Sequence, residues 1–104
     1  MKVFLTKIAQ RDIDKAAEWY ERQREGLGFT FLDRIDQGLD KIALNPTGYR
    51  KVFGENRRCT LEQFPYALWF KVENDVIVVG CLHAKRDPKL AKERRSGVIP
   101  LPEP

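Results

Sequence analysis

A set of cations and aromatics in this sequence could handle phosphate charge, move protons or stack on bases: Tyr49, Arg50, Lys51, Arg57, Arg58, Tyr66, Trp69, His83, Lys85 and Arg86. Arginine and lysine stabilise charge developing on a phosphoryl group while histidine or tyrosine shuttles a proton, the requirements of a metal-free nuclease. The same set would serve a nucleic-acid binder, with cations on phosphates and aromatic rings against bases. Taken singly, each residue has an ordinary account. Trp69 and Tyr66 would pack in or near a core, the cations would solvate its rim, and His83 would be hydrogen-bonded at a strand end.

Other chemistries lack their residues. There is one histidine and no HExxH or cysteine cluster, so no metal site is expected. Gly26-Leu-Gly28 has neither a preceding strand nor the third glycine of a dinucleotide fingerprint, so no cofactor is expected either. Ser96 is the sole serine, which leaves no Ser-His-Asp arrangement to read. Cys59 and Cys81 fall in apolar strand patterns and are expected as buried free thiols.

The charge of +4 is concentrated in one place. Residues 83–95 hold six Lys/Arg (Lys85, Arg86, Lys89, Lys92, Arg94, Arg95) against Asp87 and Glu93, a balance of +4. The remainder carries 13 Lys/Arg (19 less 6) against 13 Asp/Glu (15 less 2) and is neutral. This segment directly follows the most apolar run, Val76–Leu82. A buried strand emptying into a basic segment puts positive charge at one end of a sheet, where a polyanion or an acidic partner can dock.

The elements that must position these residues are legible in outline. A chain of 104 residues suits one domain, and 42% hydrophobic with 33% charged residues is an ordinary globular balance. Val3–Leu5 reads as a short strand, and the stripe Ala9, Ile13, Ala16, Ala17, Tyr20 as a helix capped by Thr6 and stopped by Gly26 and Gly28. Thr30-Phe-Leu-Asp33 resembles a capping box opening a second helix with the stripe Leu32, Ile35, Leu39, Ile42, ended at Asn45-Pro46. Then the period changes. Arg58–Glu62, Ala67–Val72 and Val76–Leu82 read as strands, separated by Phe64-Pro65-Tyr66 and the polar turn Glu73-Asn-Asp75. The last strand is apolar on both faces and is expected in the sheet interior, beside the first. The predicted class is α+β: an antiparallel sheet with an N-terminal helical hairpin packed on one face, in the order β-α-α-β-β-β. Residues 1–95 are expected to form the domain and 96–104 a Pro-rich C-terminal tail. No apolar stretch nears the roughly 18 residues of a membrane span, and Met1–Leu5 turns polar at Thr6-Lys7, so a cytoplasmic protein with no membrane partner is expected.

The pieces also form an ordered set: Ala9-x-x-Asp12-Ile13-x-x-Ala16-x-x-Trp19-Tyr20, Gly26-Leu-Gly28-x-x-Phe31, Asn45-Pro46-x-x-Tyr49, Arg57-Arg58-x-x-Leu61-x-x-Phe64-Pro65-Tyr66 and His83-x-x-Arg86-Asp87-Pro88. In order and spacing this set resembles the RelE/ParE superfamily of bacterial type II toxins. The Phe64-Pro65-Tyr66 and Arg86-Asp87-Pro88 pieces resemble its ParE-like branch.

The resemblance implies a small toxin neutralised by a cognate antitoxin, ParD-like or other, and an acidic or amphipathic segment of it is expected to dock along the hairpin and sheet. The expected antitoxin-binding residues are Trp19, Tyr20, Leu39 and Phe53, from their aromatic or apolar character. ParE-like members are associated with poisoning DNA gyrase, and RelE-like members with cutting mRNA in the ribosome. The RelE type relies on a tyrosine near the C-terminus for proton transfer, whereas the tyrosines here are Tyr20, Tyr49 and Tyr66. The expected function is therefore non-enzymatic gyrase poisoning, with a target-binding set of Lys51, Arg57, Arg58, His83, Lys85, Arg86 and Lys89. The alternative is a ribosome-dependent endoribonuclease whose candidate catalytic residues are Arg58, His83 and Arg86, sharing one surface.

Overall fold

Thr6 does what its position at the head of an apolar stripe requires: its Oγ1 accepts a hydrogen bond from the Ala9 backbone N–H at 3.1 Å and opens the first helix. The structure, a computed structural model, describes residues 1–84, so the expected boundary after residue 95 lies outside the described residues. The order is β1 (Val3–Leu5), α1 (Lys7–Gln23), α2 (Leu27–Leu44), a 3₁₀ turn (Pro46–Gly48), β2 (Lys51–Phe53), β3 (Asn56–Thr60), β4 (Tyr66–Val72) and β5 (Val76–His83).

The strands form one sheet in the order β1-β5-β4-β3-β2. β5 lies inside it as expected, parallel to β1 and antiparallel to β4, and the other pairings are antiparallel. The α+β architecture of a hairpin against a sheet is as read from the sequence. The sheet is mixed, because α1 and α2 carry the chain away from β1 before β5 returns beside it. β2 is an added edge strand. It is three residues long and folds onto β3 through a turn in which Gly54 has φ 57°.

The two helices meet differently from the reading above. α2 starts at Leu27, not after Thr30, with Gly26 in the left-handed conformation (φ 85°) as the joint. Glu21 completes the joint: its two carboxylate oxygens accept the backbone N–H groups of Gly26 and Gly28, both at 2.9 Å. Thr30 is already inside the helix, and its hydroxyl donates to the Gly26 carbonyl at 3.2 Å instead of capping. Gly28 sits where a Cβ would lie 2.6 Å from the Ala17 carbonyl, so only glycine lets α2 cross α1 this closely. The inward stripe of α2 is consequently Gly28, Phe31, Ile35, Gly38 and Ile42, and Leu32 faces outward at 40% exposure.

The main core lies between hairpin and sheet. Ala9, Ile13 and Ala16 of α1 and Phe31, Ile35 and Ile42 of α2 pack on Leu68, Phe70, Val76, Val78 and Cys81. Both cysteines are buried and free. A second cluster, Ala67, Trp69, Val79 and Leu82, lies on the sheet face away from the helices. A register irregularity lets the sheet serve both. Phe70 pairs with Val78 but Trp69 with Gly80, so Val79 bulges out toward the second face while Cys81 returns to the first.

Candidate functional site

His83 ends β5 opposite Tyr66, and their rings meet edge-on at 5.4 Å. Tyr66 belongs to an aromatic cluster in which Tyr20 and Phe31 stack at 5.3 Å and Phe64 meets Tyr20 edge-on at 4.8 Å. The imidazole therefore caps the helix-facing core at the end of the sheet where the chain enters its basic segment. It is half-buried.

Arg58 lies elsewhere. It pairs with Trp69, and its guanidinium sits 5.6 Å from the Trp69 ring centre on the second face. Tyr66 and Trp69 are three residues apart on β4, so their side chains leave opposite faces. The expected common surface of Arg58 and His83 is corrected on this ground: the structure puts them on opposite sides of the sheet, two strands apart. Arg86, Lys85 and Lys89 lie outside the described residues.

The remaining predicted cations have partners. Arg57 donates through Nη1 to the Tyr49 carbonyl at 2.5 Å and so clamps the 3₁₀ turn to β3. Lys51 pairs with Glu55 at 2.7 Å on an exposed edge, a bond of small net value in water. Tyr49 and Tyr20 are both shifted upward from the ordinary phenol value. Burial first, and then hydrogen bonding to Cys59 and its charge, pushes Tyr49 up to about 12, and burial with the Cys81 charge raises Tyr20. Both phenols stay protonated at neutral pH and neither can act as a base there. Among the described residues no group of three His, Cys, Asp or Glu side chains could hold a metal ion.

Of the residues expected to meet an antitoxin, Trp19 and Tyr20 lie together on α1, with rings edge-on at 5.2 Å. Tyr20 faces the core cluster, Leu39 packs half-buried on the core two helical turns beyond Phe31, and Phe53 lies on edge strand β2. They form no single patch. The exposed apolar residues of the hairpin are Phe29 at 81% and Leu44 at 86%, with Leu32. Phe29 and Leu32 line a groove of about 460 Å³ with Ala17, Gly28 and the carboxylates Glu18, Glu21 and Glu25. Sequence reasoning missed Phe29 because it assigned residues 27–29 to the loop; a helix register started at Leu27 would have placed Phe29 opposite Phe31 and Ile35.

Among the described residues no helix is long and apolar enough to cross a membrane. No curated protein matches this chain closely enough to count as a relative. Among solved structures the fold is similar to a chain of the chromosomal ParDE TA system from P. aeruginosa, with a TM-score of 0.69 at 17% identity over 80% of this chain and 95% of that one. At that identity the likeness establishes the fold. The family described as the ParE toxin of the type II toxin-antitoxin system, parDE, matches residues 3–88, which takes in both helices, all five strands and the first basic residues. The chain belongs to the ParE toxin family of type II toxin-antitoxin systems.

Proposed function

We propose that this toxin acts in the cytoplasm by binding DNA gyrase through the cations that follow β5, and that a cognate antitoxin silences it by docking on the hairpin. The observation that carries the first half is the placement of charge. The core-buried strand β5 leads directly into the segment holding all of the net +4, with Lys85, Arg86 and Lys89 nearest its end. A mechanism by binding needs no proton-transfer pair, and Arg58 and His83, the described members of the nuclease set, stand on opposite sheet faces. Purified protein is expected to inhibit gyrase supercoiling or trap its cleaved DNA complex, and to leave mRNA on programmed ribosomes intact. Codon-positioned cleavage of that mRNA would replace this reading with the ribonuclease.

For the second half, Phe29 and Leu32 give a helix or strand of the antitoxin an apolar anchor on a rigid element. Glu18, Glu21 and Glu25 along the groove select against an acidic stretch at this point, so the segment seated here should be apolar or basic. Phe29→Asp with Leu32→Asp should weaken antitoxin binding by more than tenfold, the loss of about 1.4 kcal/mol or more that one buried anchor supplies. The melting temperature should hardly change, because both side chains are exposed. Titration calorimetry against the antitoxin encoded beside this toxin reads both; unchanged affinity would remove the hairpin groove from the interface.

A further inference from the structure

The sheet ends in two unlike edges. β2 is irregular: its pairing with β3 slips between Lys51 and Phe53, and Lys51 is already held by Glu55. β1 runs in register with β5 through Val3, Phe4 and Leu5. The Lys2 carbonyl accepts the Val76 N–H at 2.9 Å, and the Thr6 N–H donates to the Val78 carbonyl at 3.0 Å. In a ladder, alternate residues bond to a given neighbour, so Lys2, Phe4 and Thr6 serve β5 while the N–H and C=O groups of Val3 and Leu5 face outward. Two donors and two acceptors thus stand in a regular row on an outer strand, the template for one more strand.

The side chains beside this row set what an added strand must carry. Phe4 pairs with Ile77 on the second face and is 48% exposed, so a strand laid along β1 has an apolar ring to cover there. The helix-facing side is cationic. α1 lies over β5 and β1, and it meets α2 through Ala17 and Glu21. Lys7, Arg11 and Lys15 follow one another at four-residue steps, drift toward the flank turned from α2 and are exposed. Among the described residues none holds these three in an ion pair. The two repeats match, because four residues of helix rise about 6 Å and two residues of strand about 6.7 Å. Carboxylates at alternate positions of an added strand therefore meet successive cations on α1, and the positions between them turn toward Phe4.

We propose that the β1 edge binds an extended acidic segment of a partner protein, which adds a strand to the sheet with carboxylates at alternate positions beside Val3 and Leu5, within reach of Lys7, Arg11 and Lys15. Main-chain bonds to Val3 and Leu5 supply the attachment, and the alternation of acidic and apolar side chains supplies the selectivity. A second copy of this chain does not fit, because β1 against β1 sets Lys2 and the α1 cations of one copy against those of the other. Cations at an edge thus blunt it against copies of itself and leave it open to a strand of opposite charge. The seat is separate from the hairpin groove, where Glu18, Glu21 and Glu25 repel the same segment.

The probe is a blocked heptapeptide alternating glutamate and valine, titrated into the isotope-labelled full chain and followed by NMR. Saturation should slow amide exchange at Val3 and Leu5 by about tenfold or more, since new main-chain bonds protect those two N–H groups. Lys7→Glu, Arg11→Glu and Lys15→Glu together should weaken binding about tenfold, the loss of three exposed ion pairs. Val3→Pro removes one outward donor without touching the ladder to β5 and should weaken binding about fivefold. If Val3→Pro loses its fold, the exchange rates of the parent chain decide. Val3 and Leu5 amides that exchange as fast with peptide as without it would overturn the proposal. So would equal binding of a peptide with the same composition and its glutamates grouped together, which would reduce the site to charge alone. Protection that rises with protein concentration in the absence of peptide would give the edge to a second copy. A DNA duplex that binds Lys7, Arg11 and Lys15 more tightly than the peptide would give the surface to nucleic acid, and either result overturns the proposal.

Discussion

Replacing Asp12 by alanine should cost this small toxin about 3 kcal/mol, from the loss of a buried hydrogen bond, the donor left behind and the void that opens. Asp12 is 3% exposed in the middle of α1, on the face that packs against the sheet. Its Oδ2 accepts the backbone N–H of Cys81 at 2.9 Å, a contact spanning 69 residues. The geometry explains why a carboxylate is there. Val79 bulges out of the ladder just before Cys81, and the Asp12 oxygen takes up a strand N–H at the resumption of the pairing. Alanine removes the acceptor and opens a void beneath the helix. Asparagine keeps an oxygen of the same reach and nearly the same volume and should cost about 1 kcal/mol, so the difference between the two variants is the value of the acceptor and the filled space together. For a chain of this size each kcal/mol moves the midpoint by about 4–8 °C, which puts Asp12→Ala on the order of 10–20 °C below the parent in a thermal melt. A melt within about 2 °C of the parent, equivalent to less than 0.5 kcal/mol, would show that the bond has no net value.

Asp12 also marks where the sequence could be read and where it could not. It belongs to the ordered motif on α1, so its presence was visible; its partner was not, because a bulge on β5 moves the N–H that it meets. Local signals were read well where one residue decides the outcome. Thr6 caps α1, Asn45 ends α2, Pro65 breaks the strands, and the apolar run on both faces of β5 put that strand inside the sheet beside β1. The helix joint misled because Gly26 and Gly28 perform different tasks. Gly26 supplies a left-handed turn and Gly28 a close crossing inside the next helix, and a glycine pair carries no label for either. Thr30 and Asp33 then imitated a cap that the helix had already passed. β2 is too short for any alternation to show, and Gly54 was its one local mark.

The candidate site suffered most from parity. Arg58, Tyr66, Trp69 and His83 were grouped by type, but along a strand the face alternates at every residue. Three steps from Tyr66 to Trp69 were enough to send their partners His83 and Arg58 to opposite sides. No composition or motif carries that information until the register of β3, β4 and β5 is known. The same register gives Trp69 and Leu82 their unexpected depth on the second face. Chemistry-bearing residues in a sheet are thus predictable as members of a strand earlier than as members of a site.

The charge after β5 is where function should break most sharply. Lys85→Glu, Arg86→Glu and Lys89→Glu together change the formal charge by −6, taking the chain from +4 to −2. Electrostatic attraction through a clustered field speeds association by about 10–10³-fold, and reversal converts it to repulsion, so inhibition of gyrase should fall by at least about 10²-fold. Added salt should weaken the parent and leave the variant little changed, since screening removes the attraction that the variant already lacks. His83→Ala gives the contrasting case. It removes an edge-on contact with Tyr66 at 5.4 Å and about 1 kcal/mol of packing, while the cations beyond it keep their charge. A poison acting by binding should lose less than about fivefold in potency, the most that about 1 kcal/mol can do, because the binding cations are untouched. A nuclease using the imidazole would lose the 10²–10⁴-fold that a general acid or base is worth. The two variants therefore rank in opposite order under the two mechanisms. Growth arrest on induction, read beside the gyrase assay and with the variants matched for expression, supplies the ranking. Greater loss of toxicity in His83→Ala than in the triple charge reversal would overturn action through the basic segment.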